Sequence, residues 1–474
     1  MINIADLRDL PLLVGGSFAR TAERARVTNP ADGSELTSVP IASLDLLDQA
    51  VARANEALQN WRVDVQARGA ALLEIASRIE KNVDVLAESL AREIGLPIKL
   101  AAMEVSAGAA YLRYRAGAEA KTDLIKEDAK EHTIVVRRPI GVVGAILPWN
   151  APFLIACEKI ATSFGAGNAV IVKPSLYAPV TLLRLGVLLG DAVPAGTLSI
   201  LTGGDDLGVA IVKHPGIGMI SFTGSIAAGK AIMASAAANL KRLSLELGGN
   251  DAAIVLSDVE VERVASRLVT GAFFRSGQVC AAIKRLYVQT DIFDDLCIAM
   301  VRAAEKIAVG DPMNPKVTMG PISNRAQFER VCALVEAAKA DGATVLTGGQ
   351  PIEGNGYFYP PTLLANVSAE ARIVSEEQFG PVLPLLPFSD PADAVAKVNA
   401  TPFGLGNSVW TADSEKGEQI ARQLESGSVW INRHGIVLPH VPFGGMKQSG
   451  IGRTNGSVGM DLYSELQTVS VFRS

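Results

Sequence analysis

The chain has 474 residues, 49% hydrophobic and 20% charged, which is too long for one ordinary core and too apolar for a disordered or fibrous protein. A formal charge of -5, with Lys and Arg scattered along the chain, provides no basic field for nucleic acid, and no apolar run reaches membrane-spanning length. Four cysteines (Cys157, Cys280, Cys297, Cys332) lie far apart without zinc or disulfide spacing, and Met1–Asp6 has neither part of a secretory leader, so a reduced, cytoplasmic setting is expected.

In chain order, residues 45–118 read as helical: Leu47, Val51, Ala54 and Leu58, then Leu72, Ile75 and Ile79, recur at helix spacing. Glu131–Pro139 reads as an exposed strand, and Leu466–Phe472 ends the chain as another. Such strands either pair with a second chain or form edges within one subunit. Between them the pattern alternates. Val142–Leu147, Ala169–Val172, Leu198–Leu201 and Met219–Phe222 are short β-rich runs separated by helical stretches at 153–165, 179–190, 206–213 and 226–238. A second series follows: Ala252–Leu256, a helix at 260–276, Arg285–Val288, a helix at 291–308, then Val382–Pro387 and Ser428–Ile431. The fold class is therefore α/β, with two consecutive open-sheet units joined near Gly248-Gly249.

Three short segments carry chemistry. Cys280 lies in Phe274-Arg275-Ser276-Gly277-Gln278-Val279-Cys280-Ala281, where Gly277 is expected to break the helix and leave the thiol in a tight loop. A lone cysteine is usually a small buried filler, which is the reading for the other three. As a nucleophile it must be thiolate, yet a free thiol near pKa ~8.5 is only a few per cent ionised at neutral pH, so neighbours must help. Glu246, in Leu243-Ser244-Leu245-Glu246-Leu247-Gly248-Gly249, has leucines on both sides, so its strand is buried. A buried carboxylate needs either a salt-bridge partner or a raised pKa fit for general base work. Asn150 follows Pro148-Trp149 at a strand end, where open α/β sheets present ligand-facing residues, although Pro152 also makes it a credible turn former.

The glycine-rich run Gly224-Ser225-Ile226-Ala227-Ala228-Gly229-Lys230-Ala231 nearly spells a phosphate-binding loop, but Ala231 stands where magnesium binding needs Ser or Thr. A strand before it and a helix after it still suit phosphate binding at a helix N-terminus. No Gly-x-Gly-x-x-Gly fingerprint occurs.

Together the Gly-Gln-x-Cys run, Glu246 with its Leu-Gly-Gly tail, Asn150, Glu377-Gln378-Phe379-Gly380-Pro381 and Pro442-Phe443-Gly444-Gly445 resemble the aldehyde dehydrogenase superfamily, from about Leu13 to Val471. The resemblance implies an NAD(P)-dependent, non-phosphorylating enzyme that oxidises an aldehyde to a carboxylic acid through a cysteine thioester. It gives Cys280 the nucleophile's role, Glu246 the water-activating base and Asn150, with the Cys280 N–H, the oxyanion hole. For NAD or NADP it implies Trp149, Lys173, Ser175, Gly204, Gly224, Ser225, Glu377 and Phe379, with Glu376 left as a surface carboxylate. Ala151, Phe153, Ile155, Val279 and Phe443 are expected at the substrate pocket, and no metal is implied. The same likeness divides the chain into a coenzyme-binding domain (1–118, helical, and 140–248), an oligomerisation arm (119–139), a catalytic domain (249–448) and a C-terminal arm (449–474) that completes the arm's sheet. A homodimer or homotetramer is the implied assembly.

Departures from the family pattern matter as well. Leu176 stands where NAD-preferring relatives often have Glu, Ala151 where an aromatic often walls the tunnel, and Thr454 where Glu is common. An apolar or aromatic aldehyde is expected over a carboxylated one. A CoA-acylating enzyme is the nearest alternative, against which Glu246 speaks; a catalytically silent protein on the same fold is the other.

Overall fold

The computed structural model describes residues 6–118 and 121–473. Residues 1–5, read above for a leader, the first two residues of the expected arm (119–120) and residue 474 lie outside it. The expected strand–helix alternation is present as two open sheets.

The first sheet has 8 strands. Its centre is parallel, in the order Arg242–Glu246, Met219–Thr223, Val142–Ile146, Ala169–Lys173, Leu198–Ile200. Val142–Ile146 and Ala169–Lys173, at its middle, are near-continuous apolar runs buried along their whole length, as strands covered on both faces are. Gly144 shows how close that packing is: a Cβ there would lie 2.6 Å from Ile211 Cγ2 on the helix above. The second sheet has 7 strands, with Ala252–Val255 and Arg285–Gln289 at its centre. The chain leaves the first sheet at Glu246 and enters the second at Ala252, and Gly248-Gly249 lies between these two strands.

Three features differ from the sequence reading. Residues 1–118 do not open as helices; Leu12–Val14 and Ser17–Ala19 form an antiparallel edge of the first sheet before the helices begin at Leu44. Gly406–Trp410, a polar and glycine-started run, is a fully buried strand of the second sheet beside Ala252–Val255. Burial is tolerated because Asn407 Oδ1 accepts the Ala252 N–H at 2.7 Å. Residues 449–474 do not form one arm: Gly450–Ile451 pairs with Leu245 and Glu246 at the edge of the first sheet, and Gly456–Leu462 is a helix. Only Ser464–Phe472 reaches the arm, where it pairs antiparallel with Glu131–Pro139 of the same chain, Asp123–Glu127 forming the third strand. The two exposed strands thus satisfy each other along one side. Among the described residues no helix is long and apolar enough to cross a membrane.

Candidate active site

Asn150 sits just beyond the C-terminal end of the central strand Val142–Ile146, where a parallel sheet presents its ligand-facing residues. Its Nδ2 donates to the Gln278 carbonyl at 2.9 Å, so one of its two amide protons anchors the side chain to the nucleophile loop and the other remains free. The Asn150 carbonyl accepts from Arg275 Nη2 at 2.9 Å, and the same nitrogen pairs with the fully buried Glu104. Glu104 Oε1 in turn accepts the N–H groups of Phe153 and Leu154, each at 3.1 Å. It therefore supplies the N-terminal cap that Ala151 cannot give to the helix Pro152–Gly165.

The nucleophile loop is more sharply bent than the expected break at Gly277. The helix Val261–Phe273 ends, and Arg275, Ser276 and Gly277 follow in left-handed conformation at φ 54°, 57° and 71°. A Cβ on Gly277 would lie 2.1 Å from the Gly380 carbonyl oxygen, so only glycine fits. Ser276 Oγ donates to the Gly320 carbonyl and Arg275 Nη2 to the Asn150 carbonyl, both at 2.9 Å, which holds the two non-glycine residues in place, and Gln278 Oε1 accepts the Ser323 N–H just after them at 2.9 Å. Cys280 emerges half-buried in a small apolar cluster with Ala281, Leu405, Trp430 and Phe443. Burial pushes its thiol up to about 12; Lys284 pulls it down, whereas Asp251, Glu246 and Glu377 push it further up. The structure thus brings both expected carboxylates to the expected nucleophile. It also adds a cation: Lys284 Nζ donates to the carbonyls of Val279 and Cys280 at 2.8 and 2.7 Å.

Glu246 ends its strand 8% exposed, and among the described residues neither carboxyl oxygen has a hydrogen-bond partner. Its Oε1 faces Gly444, where a Cβ would lie 2.7 Å away. Burial raises its pKa, Lys159 opposes that rise and Glu158 reinforces it. The sequence left a salt-bridge partner and a raised pKa both open; no salt bridge to Glu246 occurs among the described residues, and burial acts in the direction of the second. Lys159 is fully buried and donates to Ser221 Oγ at 2.7 Å.

Of the expected coenzyme residues, Trp149, Lys173, Ser175, Gly204, Gly224 and Ser225 lie at or just beyond the C-terminal ends of first-sheet strands, whereas Glu377 and Phe379 precede Val382–Phe388 of the second sheet. Lys173, which a strand end would ordinarily expose, is 7% exposed; burial lowers its pKa, with Asp205 and Asp206 opposing. Gly204 begins the helix Asp205–Lys213, and Ser175 Oγ accepts the Tyr177 N–H at 3.3 Å. Gly224 N donates to the Glu246 carbonyl at 3.0 Å, so the glycine loop and the base share a backbone bond. Ser225 caps the helix Ile226–Ala236 by accepting from Ala228 N at 3.2 Å. Glu377 Oε1 accepts the Gly249 N–H at 3.2 Å, while Glu376 pairs with surface Arg330 and Arg372, as expected. Phe379, held at φ 50°, meets Trp149 edge to face with centroids 5.4 Å apart.

The pocket expectation needs correction. Ala151 and Val279 are half-buried beside the loop, and Phe443 touches the Cys280 cluster. Phe153 has no exposed surface and packs with Cys157 against Gly108, while Ile155 packs on the first core. Helix geometry gives the reason for Phe153: positions 154 and 155, both half-buried, share the face of Ala151, whereas 153 and 157 share a face turned into the core. Ile283 is likewise core, against Gly271. Sequence reasoning also missed Lys284, Lys159, Arg275 and Glu104. Lys284 left one signal, a cation set among apolar residues at the mouth of a buried strand.

A sequence profile of the aldehyde dehydrogenase family matches residues 18–469. The chain belongs to the aldehyde dehydrogenase family. It is 38% identical to a phenylacetaldehyde dehydrogenase of Pseudomonas fluorescens, over 97% of this chain and 95% of that protein. Among solved structures it resembles an NAD+ complex of a Bacillus cereus aldehyde dehydrogenase (TM-score 0.96, 32% identity, 98% of this chain and 97% of the other). It also resembles an NADP-dependent enzyme of E. coli (TM-score 0.96, 33% identity, 98% and 99%). Family membership makes the chain an oxidoreductase of aldehydes, built from the mixed α/β fold of those enzymes.

Because Phe153 is core rather than pocket, Phe153→Ala is expected to cost about 3–5 kcal/mol of stability, as aromatic truncations in cores do. Denaturant unfolding alongside aldehyde KM checks this. A shifted aldehyde preference with unchanged stability would return Phe153 to the pocket.

Proposed function

We propose that this aldehyde dehydrogenase works through a Cys280 thioester released by water, and that it prefers apolar aldehydes. The observation that carries the reading is the meeting, at one loop, of Cys280, the free amide proton of Asn150 and an unpartnered, buried Glu246. Cys280 sulfur adds to the aldehyde carbon, and the carbonyl oxygen takes the negative charge. The second Nδ2–H of Asn150 and the Cys280 backbone N–H donate to that oxygen, a contribution of about 3–4 kcal/mol to the barrier for one such donor.

The groove residues fit a nicotinamide dinucleotide. The N-terminus of helix Ile226–Ala236, opened by Gly224 and Ser225, suits a pyrophosphate, and the buried Lys173 ammonium suits a ribose. Glu377 is placed for the second ribose, and Trp149 with Phe379 for the ring. NAD or NADP held there supplies the acceptor for the aldehyde hydrogen, which leaves a thioester on Cys280. Glu246, its pKa raised by burial, then takes a proton from water as the water attacks the thioester. The acid departs and the thiolate is restored. A group with a raised pKa is basic only once pH climbs above that value, so thioester hydrolysis is expected to quicken with rising pH.

Trp430, Phe443, Leu405 and Ala281 around the thiol supply an apolar wall, and Ala151 leaves the tunnel open, which favours aromatic or medium-length apolar substrates. The exposed outer edge of Ser464–Phe472, with Leu466 and Phe472 65% and 74% exposed, is offered for a second copy in a dimer or tetramer.

Coenzyme reduction over an aldehyde panel, with wild type and Cys280→Ala, tests the function. The variant should lose at least about a hundredfold in turnover while still binding coenzyme. Retained turnover, or a preference for succinic semialdehyde over benzaldehyde and hexanal, contradicts the nucleophile or the pocket respectively.

Glu246→Gln should form the thioester and stall there. Rapid quench is expected to show one burst of reduced coenzyme per subunit and then slow turnover. No burst, with slow hydride transfer, would move Glu246 to thiol activation instead.

Half-buried Leu176, next to Ser175, neither accepts hydrogen bonds from the adenosine ribose nor repels a 2′-phosphate. NAD and NADP are both expected to work, within roughly a hundredfold of each other, since about 1–3 kcal/mol of repulsion is missing. Leu176→Glu should weaken NADP far more than NAD, as read by kcat/KM for each. Complete rejection of NADP by wild type would assign discrimination to another group.

A further inference from the structure

Lys284 is a buried ammonium, its side chain 3% exposed, four residues beyond the nucleophile. Its contacts converge on the two halves of the site. On one side Nζ donates to the carbonyls of Val279 and Cys280 at 2.8 and 2.7 Å. On the other it lies 3.4 Å from Glu377 Oε1 and 5.8 Å from the centre of the Phe379 ring, and the Lys284 carbonyl accepts from Gln378 Nε2 at 3.1 Å. Satisfying two carbonyls needs only a neutral donor. A buried charge costs several kcal/mol of desolvation, so its presence calls for a reason beyond hydrogen bonding.

The peptide plane supplies one part of that reason. The Val279 carbonyl and the Cys280 N–H belong to a single trans peptide unit and point in opposite directions. The carbonyl accepts the Ala282 N–H at 3.2 Å, and Lys284 adds the second, shorter donor that fixes the plane and with it the direction of the Cys280 N–H. Charge supplies the other. The groups that act on the Cys280 thiol are three carboxylates, Asp251, Glu246 and Glu377, and one cation, Lys284. Asp251 itself lies 3.6 Å from the His434 ring, and Glu246 is opposed by Lys159 and Arg453 on its far side. Lys284 is thus the favourable charge in an otherwise anionic ring around the sulfur.

We propose that Lys284 is the positioning residue of the nucleophile: it aims the Cys280 N–H at the substrate oxygen and holds the positive field that stabilises the thiolate, with Glu377 tempering that field. This rests on the reading of Cys280 as nucleophile. It ties the ribose-facing carboxylate to the sulfur through one ammonium, so the two subsites are electrostatically continuous within this chain.

The test is alkylation of the folded, coenzyme-free protein by iodoacetamide and by iodoacetate across pH 7–10, with the modified residue identified by peptide mass spectrometry. Lys284→Gln keeps donors for the carbonyls and removes the charge. It is expected to slow Cys280 alkylation by iodoacetamide about three- to tenfold, the loss of thiolate being partly offset by higher intrinsic nucleophilicity. It should also lower the iodoacetate-to-iodoacetamide rate ratio by roughly threefold, because the anionic reagent loses its attraction to the site. Lys284→Arg should restore that ratio. A loop that is merely loosened would slow both reagents alike, so an unchanged ratio in folded Lys284→Gln overturns the proposal. Should that variant not fold, Lys284→Gln/Glu377→Gln removes both charges together and is compared with Glu377→Gln alone; the same fall in rate and ratio is expected, and equality of the two overturns the proposal. Alkylation at a residue other than Cys280 would instead overturn the nucleophile assignment, leaving the two failures distinguishable.

Discussion

Glu104 has no exposed surface, and its carboxylate serves two structures that the chemistry needs in register. One oxygen closes the N-terminus of the helix Pro152–Gly165; the other holds Arg275, which reaches the Asn150 carbonyl. Asn150 then closes the circle through Gln278. The helix start belongs to the first sheet and the Arg275 turn to the second, so this one pair sets the distance between Asn150 and the Cys280 loop. An ion pair this deep adds little net stability, since desolvation offsets most of the attraction, but breaking it strands a buried charge at a cost of about 3–5 kcal/mol. Its value lies in the geometry it imposes on neighbouring parts.

In the proposed mechanism, burial acts on both reacting groups, with opposite consequences. For Glu246, a raised pKa makes a better base, because a carboxylate at its ordinary value is too weak to activate water. For Cys280 the same desolvation disfavours the thiolate that the reaction requires. The protein does not expose the sulfur to solve this. It places a cation beside it and surrounds the rest with Trp430, Phe443 and Leu405, which keep the site dry and shape it for an apolar substrate. A dry site strengthens each oriented dipole at the oxyanion, so the penalty on the thiol and the gain in the transition state have one origin.

Backbone conformation adds a third constraint. Arg275 and Ser276 precede Gly277 in left-handed conformation, and Phe379 shares it in the segment facing Lys284. Each is pinned by side-chain bonds or packing, and Gly277 and Gly380 touch across the gap. The two segments that flank the sulfur are therefore braced against each other rather than suspended as free loops.

Much of this was legible in the linear chain. The alternation of apolar strand runs with helical stretches determined two mostly parallel sheets, because period and burial are local properties of sequence. Cys280, Glu246 and Asn150 stood out because each contradicts its surroundings: a thiol after a helix breaker, a carboxylate between leucines, an amide at a strand end. What stayed hidden depends on which atoms meet across long separations. Gly406–Trp410 is polar enough to read as a loop until Ala252 supplies its partner. Phe153 and Leu154 are adjacent letters, and only the packing of the helix Pro152–Gly165 against the residues around Gly108 decides that Phe153 turns inward. Glu104 and Arg275 are 171 positions apart, and neither is unusual alone. The sequence by itself determined which groups could react; the tertiary structure decided their charge states and directions, since desolvation and hydrogen-bond geometry exist only once distant segments have packed.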